Sequence, residues 1–263
     1  MTLMRFDLEG FVTHIASRLA NADWRDEPYG HAEIDGFLPE MVAETVRNDC
    51  KQKSLQGYVY DSAIERKEAS NQWNDFTSDT YAVFAAMNHP YINAAIQHLT
   101  GLDGLFLDAG LHGGGIHRTK AGGHLNLHID YAIHPKLFAE RRLNLIIYLN
   151  PEWQTEWLGQ LELWSGDGKP EHFIKKVEPG WNKAVLFATG DNSWHGFPEP
   201  LRCPTTVTRT SLAMYYCSLT RPNTSERYKA RFVPSQQQAN DPAIVELCER
   251  RADATHAESV YRG

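Results

Sequence analysis

The sequence is poor in cysteine and has no C-x-x-C pair, so neither a zinc ribbon nor a dense disulfide framework is expected. Long apolar runs are also absent, since no stretch approaches the length that a bilayer-spanning helix needs. Asp7 and Glu9 interrupt the apolar run near the first residue, which argues against a signal peptide. We therefore expect a cytoplasmic protein without a membrane segment.

Positive charge is in deficit as well. The 263 residues include 26 Lys and Arg against 33 Asp and Glu, a formal net charge of −7. Surfaces that bind nucleic acid broadly are usually basic, so we expect a small-molecule partner and no nucleic acid. The length allows one large domain, as a monomer or homodimer.

The chain changes character along its length. Residues 1–100 are rich in helical patterns, residues 101–220 in short Val, Ile, Leu, Tyr and Trp segments between turn residues, and residues 221–263 form a polar tail. The order predicts one mostly β domain with bracing helices, of the α+β class, whose core is an antiparallel double sheet or jelly roll. The expected strands are Leu105–Asp108, His124–Asp130, Leu143–Leu149, Gln160–Trp164, His172–Val177, Ala184–Ala188 and Thr208–Ser218.

The segment HLNLHIDY, residues 124–131, alternates apolar and polar side chains. In a regular strand, His124, Asn126, His128 and Asp130 share one face, and Leu125, Leu127 and Ile129 share the other. An exposed polar face would explain this pattern. That is the commoner explanation, and the alternative is a row of metal ligands, because His128 and Asp130 can converge on one ion.

A second histidine, His195, lies in the turn-rich segment ATGDNSWHGFPEPL. Two histidines and one carboxylate form the facial set that suits non-haem iron(II) and leaves coordination positions open. Further on, Arg209 begins a strand with Ser211 on the same face. A planar guanidinium at that place is suited to clamp a carboxylate.

Several segments together resemble one family. GLHGGGIHRTKAGGHLNLHIDYAIHP, RRLNLIIYLNPEW, GQLELW, WHGFPEPLRCP and RTSLAMYYCS are similar to the 2-oxoglutarate- and Fe(II)-dependent dioxygenases of the prolyl-4-hydroxylase-like superfamily. The resemblance implies a double-stranded β-helix, the cupin-like form of the jelly roll. It also implies Fe(II), 2-oxoglutarate and O₂, with ascorbate as a candidate stimulant.

By this resemblance, His128, Asp130 and His195 are the expected iron ligands, and Arg209 is expected to bind the distal carboxylate of 2-oxoglutarate. Further co-substrate contacts are expected from Tyr148, Ser211 and Asn144. Substrate contacts are expected from His117, Thr119, His124, Asn126, Tyr131, Arg142 and Trp194.

The expected reaction is hydroxylation of an unactivated C–H bond of a small molecule, such as an amino acid or a sugar-linked metabolite, with release of succinate and CO₂. Hydroxylation of prolyl residues in a protein is the alternative within the family. Outside it, a cupin-type metal enzyme, a zinc hydrolase and a non-catalytic jelly-roll binding module remain open.

Overall fold

The helices lie mainly in the first part of the chain. The computed structural model describes residues 6–52 and 55–255; the outer ends of the predicted divisions, residues 1–5 and 256–263, lie outside the described residues. The helices are α1 (Leu8–Ala20), α2 (Glu40–Gln52), α3 (Ser78–Ala86), α4 (Pro90–Thr100) and α5 (Pro242–Ala252). The Asp7 side chain caps α1 by accepting from the backbone N–H of Gly10 at 3.0 Å, and Pro90 opens α4 at a position where its missing N–H has no helical partner.

Thirteen strands are distributed over the rest of the described chain. They are β1 (His31–Asp35), β2 (Tyr58–Asp61), β3 (Glu65–Ser70), β4 (Phe106–Leu107), β5 (Gly115–Thr119), β6 (His124–Ile129), β7 (Glu140–Leu149), β8 (Leu161–Ser165), β9 (His172–Val177), β10 (Trp181–Ala188), β11 (Trp194–Phe197), β12 (Arg209–Ser218) and β13 (Arg231–Phe232).

Within the described chain, these strands form one antiparallel sheet of thirteen strands. The order is β1-β10-β7-β12-β5-β3-β6-β11-β8-β9, with β13 paired to β6, β2 to β3 and β4 to β12. The two ends of this order meet in space, because Lys175 on β9 forms an ion pair with Glu33 on β1. The sheet therefore curls into a nearly closed barrel with two layers, as a jelly roll does.

Alternation along the central strands separates a helix-facing surface from an inner surface. Leu143, Leu145 and Ile147 of β7 are fully buried in the core that also contains the apolar faces of α1 to α4. The alternating residues Asn144, Ile146 and Tyr148 line a cavity inside the barrel. Strand β12 follows the same rule, since successive strand residues point to opposite faces. The helices thus cover one face of the sheet and leave the interior for a site.

The predicted fold class is confirmed: the chain is mostly β with bracing helices around a jelly-roll core. All seven expected strands are present, and His172–Val177 has the predicted bounds. Six further strands, β1, β2, β3, β5, β11 and β13, were not among these seven. His195, expected in a turn-rich segment, lies in the four-residue strand β11.

The cysteines and the lengths of the helices bear on the two features that the sequence lacks. The four cysteines are free thiols, each buried at a different place in the chain. Across residues 6–52 and 55–255, none of the helices combines the length and the apolar composition of a bilayer-spanning segment.

We expect Leu212→Ala to lower the free energy of unfolding by about 2–5 kcal/mol, because truncating a buried leucine leaves a cavity. Leu212 has 0% exposure and packs against the helix-facing core from β12. Leu219→Ala is the matched control, since Leu219 is 82% exposed just after the same strand. Urea unfolding followed by circular dichroism measures both; equal losses in the two variants would contradict the two-layer description.

Candidate metal centre

Two neighbouring strands bring three ligand-bearing side chains together. His128 on β6 pairs directly with His195 on β11, and Asp130 follows at the end of β6. Directly opposed residues of antiparallel strands have Cβ atoms about 4.5–5.5 Å apart, so their side chains can meet. One ligand atom from each of the three residues lies within 4.8 Å of the others, close enough to hold one metal ion.

Both imidazole rings are oriented by backbone carbonyl groups. Nδ1 of His128 lies 3.0 Å from the carbonyl oxygen of Asn126, and Nδ1 of His195 lies 3.1 Å from that of Ser193. A carbonyl can only accept, so each Nδ1 carries the proton and each Nε2 presents a lone pair. Burial lowers the pKa of His128 to about 3 and also lowers that of His195, which keeps both rings neutral. The Nε2 atoms lie 3.8 and 3.4 Å from the Asp130 carboxylate.

The Asp130 carboxylate is held in its charged form. Burial alone would raise its pKa, but the Arg141 guanidinium, the two neighbouring imidazoles and the hydrogen bond from Asn144 together outweigh this effect and hold the pKa well below its usual range. Arg141 Nη2 lies 3.2 Å from Oδ2, and Asn144 Nδ2 donates to the same oxygen at 2.7 Å. Arg141 Nε donates to Asn144 Oδ1 at 2.9 Å, so the three side chains form a closed set of contacts. Two neutral imidazoles and one anionic carboxylate are the donor set that Fe(II) oxygenase sites use.

Arg141 was missed by sequence reasoning, which chose its neighbour Arg142. Between the pairs Tyr216–Leu143 and Cys217–Arg141, β7 has one residue more than β12. Arg142 is the extra residue of this bulge, so the alternation of faces along β7 shifts by one residue, and Arg141 faces the cavity instead of Arg142. Arg142, which was expected to contact the substrate, instead donates to Ser218 Oγ at 3.2 Å and does not line the cavity. In the sequence, the only indication of Arg141 was its place beside Arg142 in the RRLN segment.

A second bulge, in β6, changes which of its residues face the cavity. Between the pairs His195–His128 and Phe197–Leu125, β6 has one residue more than β11, so Leu125 faces the cavity together with His128. His124 Nε2 contacts the carbonyl oxygen of Ala63 at 3.1 Å. Asn126 Nδ2 donates to the Val233 carbonyl and to Gln238 Oε1. His124 and Asn126 therefore lie outside the cavity wall, away from the face of His128 and Asp130.

Trp194 is also turned away from the cavity. It precedes His195 on β11, and adjacent strand residues point to opposite faces. The indole is fully buried and its Nε1 donates to the Gly166 carbonyl at 3.0 Å. His117, Thr119 and Tyr131, which were expected beside the site, do line the cavity.

A buried guanidinium lies in the same cavity as the three ligand-bearing residues. Arg209 Nη2 donates to the Tyr148 hydroxyl at 3.1 Å, and Nε donates to the Gly159 carbonyl at 2.8 Å. Gly159 has φ +82°, and a Cβ there would lie 2.4 Å from Leu201 Cδ2. Glycine therefore permits the close approach that positions Arg209. Ser211 pairs with Tyr148 across β12 and β7 and lines the cavity too. The cavity measures about 570 Å³.

We expect Arg141→Met to weaken Fe(II) binding by roughly 10–100-fold, because residues that orient a ligand carboxylate typically contribute this much to metal affinity. Anaerobic titration with Fe(II), followed by calorimetry, measures the change. Arg142→Met is the matched control, since it removes the same charge one residue away and outside the cavity. Unchanged affinity in Arg141→Met would show that Asp130 does not depend on this contact.

The comparisons with known proteins concern the segment that carries this site. Residues 114–217 match the family model described as the 2OG-Fe(II) oxygenase superfamily. The prolyl 3-hydroxylase OGFOD1 of Mus musculus is 37% identical over 86 residues, 32% of this chain, and that of Xenopus laevis is 36% identical over 84 residues, 31% of this chain. The matched segments span only 16% of the length of each of these curated relatives.

Solved structures with similar folds include a Pseudomonas putida prolyl-4-hydroxylase, with a TM-score of 0.53, 18% identity, and coverage of 80% of this chain and 100% of that one. A prolyl 4-hydroxylase from Phytophthora capsici has a TM-score of 0.52, 15% identity, and coverage of 96% and 79%. At sequence identities of 18% and 15%, this similarity is evidence for a shared fold only. The resemblance seen in the sequence is confirmed by this match: residues 114–217 fit the model of the 2OG-Fe(II) oxygenase superfamily.

Proposed function

We propose that the protein is an Fe(II)- and 2-oxoglutarate-dependent dioxygenase that hydroxylates a C–H bond and releases succinate and CO₂. One observation carries this proposal: two neutral imidazoles and an anionic carboxylate, with ligand atoms within 4.8 Å, share a cavity with the buried guanidinium of Arg209. A zinc hydrolase or a cupin-type isomerase has no need of such a guanidinium.

Each group has a role that its contacts support. His128, Asp130 and His195 would hold Fe(II), which with 2-oxoglutarate supplies the activation of O₂. Arg209 binds the distal carboxylate of 2-oxoglutarate, and it is held for this task by Tyr148 and the Gly159 carbonyl. A buried cation beside an anion forms strong, charge-assisted hydrogen bonds.

Ser211 and Asn144 take different parts. Ser211 lines the cavity beside Tyr148 and can donate its hydroxyl to the co-substrate. Asn144 was expected to contact the co-substrate, but its amide contacts Asp130 and Arg141. These contacts support a role in positioning the carboxylate.

Two substrate classes are supported by separate observations. A cavity of about 570 Å³ is within the range of pockets that enclose small metabolites. The curated relatives are named prolyl 3-hydroxylases, which supports a prolyl residue of a protein. A panel that contains both classes separates them.

The test of the proposal is succinate formation under air with Fe(II), 2-oxoglutarate and ascorbate, using metabolite extracts and proline-containing peptides as substrates. We expect a substrate-dependent mass gain of one oxygen, matched by succinate. Asp130→Ala is expected to abolish both, because the metal loses its anionic ligand. Turnover with Zn(II) and none with Fe(II) would favour a hydrolase. Failure to bind Fe(II) or 2-oxoglutarate would favour a binding module.

We expect Arg209→Met to raise the apparent KM for 2-oxoglutarate by roughly 10–100-fold, since a hydrogen bond to a charged group contributes about 1.5–3 kcal/mol. Steady-state kinetics with varied 2-oxoglutarate measures this change. Arg202→Met, at an exposed position in the preceding loop, is the matched control. Loss of kcat at an unchanged KM would assign co-substrate binding to another residue.

A further inference from the structure

The charge of the cavity is opposite in sign to that of the whole protein. Among the described residues that line it, five carry positive charge and two carry carboxylates: Lys67, Arg141, Arg209, Lys229 and Arg251, against Glu65 and Asp130. The lining histidines add nothing to this charge, because burial lowers the pKa of His112 to about 4 and that of His117 to about 3, leaving neutral rings. A chain of net charge −7 therefore concentrates cations in its cavity.

The proposed metal and co-substrate do not account for this excess. Fe(II) and the 2-oxoglutarate dianion carry equal and opposite charges. Asp130 has Arg141 as its direct ion-pair partner at 3.2 Å, and Arg209 is assigned to the distal carboxylate. Lys67 and Lys229 also line the cavity, and neither is assigned to the metal or to the co-substrate. An ammonium group held inside a cavity is stabilised when an anion binds beside it.

Lys67 is directed into the cavity by the hairpin of β2 and β3. Alternate residues of β3, Glu65, Lys67 and Ala69, line the cavity, as the period of a strand requires. The Lys67 side chain is only 13% exposed. Its Nζ lies 3.4 Å from Glu65 Oε2 and 5.2 Å from the centre of the Tyr60 ring. An ammonium group has three donors, so these contacts leave it able to bind a further acceptor.

Glu65 organises the cations around it. Its carboxylate is 3% exposed and lies 3.4 Å from Lys67 Nζ and 3.9 Å from Arg251 Nε. Arg251 belongs to α5, and its guanidinium lies 5.6 Å from the centre of the Phe232 ring. One acid between two cations limits their repulsion. The C-terminal helix thus contributes directly to the cavity wall.

We propose that Lys67, together with Lys229 on the cavity wall, binds an anionic group of the substrate, a carboxylate or a phosphate. This inference rests on the proposed function and specifies its substrate: a molecule whose oxidised carbon lies at one end and whose anionic group reaches Lys67. Tyr58, Tyr60 and Tyr228, which also line the cavity, provide hydroxyl donors and ring surfaces beside it.

The test uses inorganic phosphate and acetate as probes of the two anion types. The protein is loaded with Mn(II), which is paramagnetic, and with saturating 2-oxoglutarate, which occupies Arg209. Relaxation of the ³¹P signal of phosphate and of the ¹³C signal of acetate then reports anions bound near the metal. We expect enhancement in the wild type, and at least a roughly tenfold weaker affinity in Lys67→Met, since a hydrogen bond to a charged group is lost.

Two further variants serve as controls. Lys67→Arg keeps the charge and is expected to retain binding. Lys169→Met removes a lysine whose side chain is 71% exposed and outside the cavity, and it is expected to bind like the wild type. A stronger effect of phosphate than of acetate indicates a phosphate-bearing substrate, and the reverse indicates a carboxylate.

The inference is overturned if neither anion is relaxed in the wild type, or if Lys67→Met, with normal Mn(II) and 2-oxoglutarate binding, binds both as tightly as the wild type does. The proposed function is judged separately by succinate formation. Lys67-dependent anion binding without any turnover would reject the oxygenase and leave the anion site standing.

Discussion

The buried charge of Asp130 is the constraint that the rest of the site satisfies. A carboxylate removed from water is strongly unfavourable unless a cation and hydrogen-bond donors compensate it. Arg141 and Asn144 provide both, at 3.2 and 2.7 Å from the same oxygen. Arg141 is itself buried, with its guanidinium 3.3 Å from the centre of the Tyr215 ring. Keeping the carboxylate charged therefore requires β6, β7 and β12 to hold one particular register.

The helix layer secures that register from the opposite side of the sheet. Leu143, Leu145 and Ile147 of β7 face the helices, so a shift of one residue would expose them to the cavity and bury Asn144 and Tyr148 among apolar side chains. Burial of these apolar side chains between the helices and the sheet thus makes any register that would misplace the polar groups unfavourable. Residues far from the chemistry keep Asn144 beside Asp130 and Tyr148 beside Arg209.

The sequence was sufficient for regular elements and insufficient at irregular ones. His128 and Asp130 could be predicted because their spacing of two residues holds at the end of β6, and His195 because the family resemblance joined it to them. The faces of Asn126 and Arg142 could not, since a bulge adds one residue without changing local composition. Strand β3, ERKEAS, was missed because mostly polar residues occupy both of its faces, so it has no hydrophobic alternation. Because β3 was not predicted, Lys67 was not identified as a residue of the cavity wall.

The net charge of the sequence is likewise insufficient to predict which ligands the cavity binds. The value of −7 describes the whole surface and argues against broad binding of nucleic acid, yet it does not describe the field inside a cavity. Inside the barrel, water is partly excluded and charges interact over longer distances than they do at the surface. A few cations there outweigh many acids outside. Glu65 makes such a group sustainable: it lies within 4 Å of cations on β3 and α5, and so links the hairpin, the C-terminal helix and the cavity through one carboxylate. An acidic protein can in this way select anionic ligands at a single interior place.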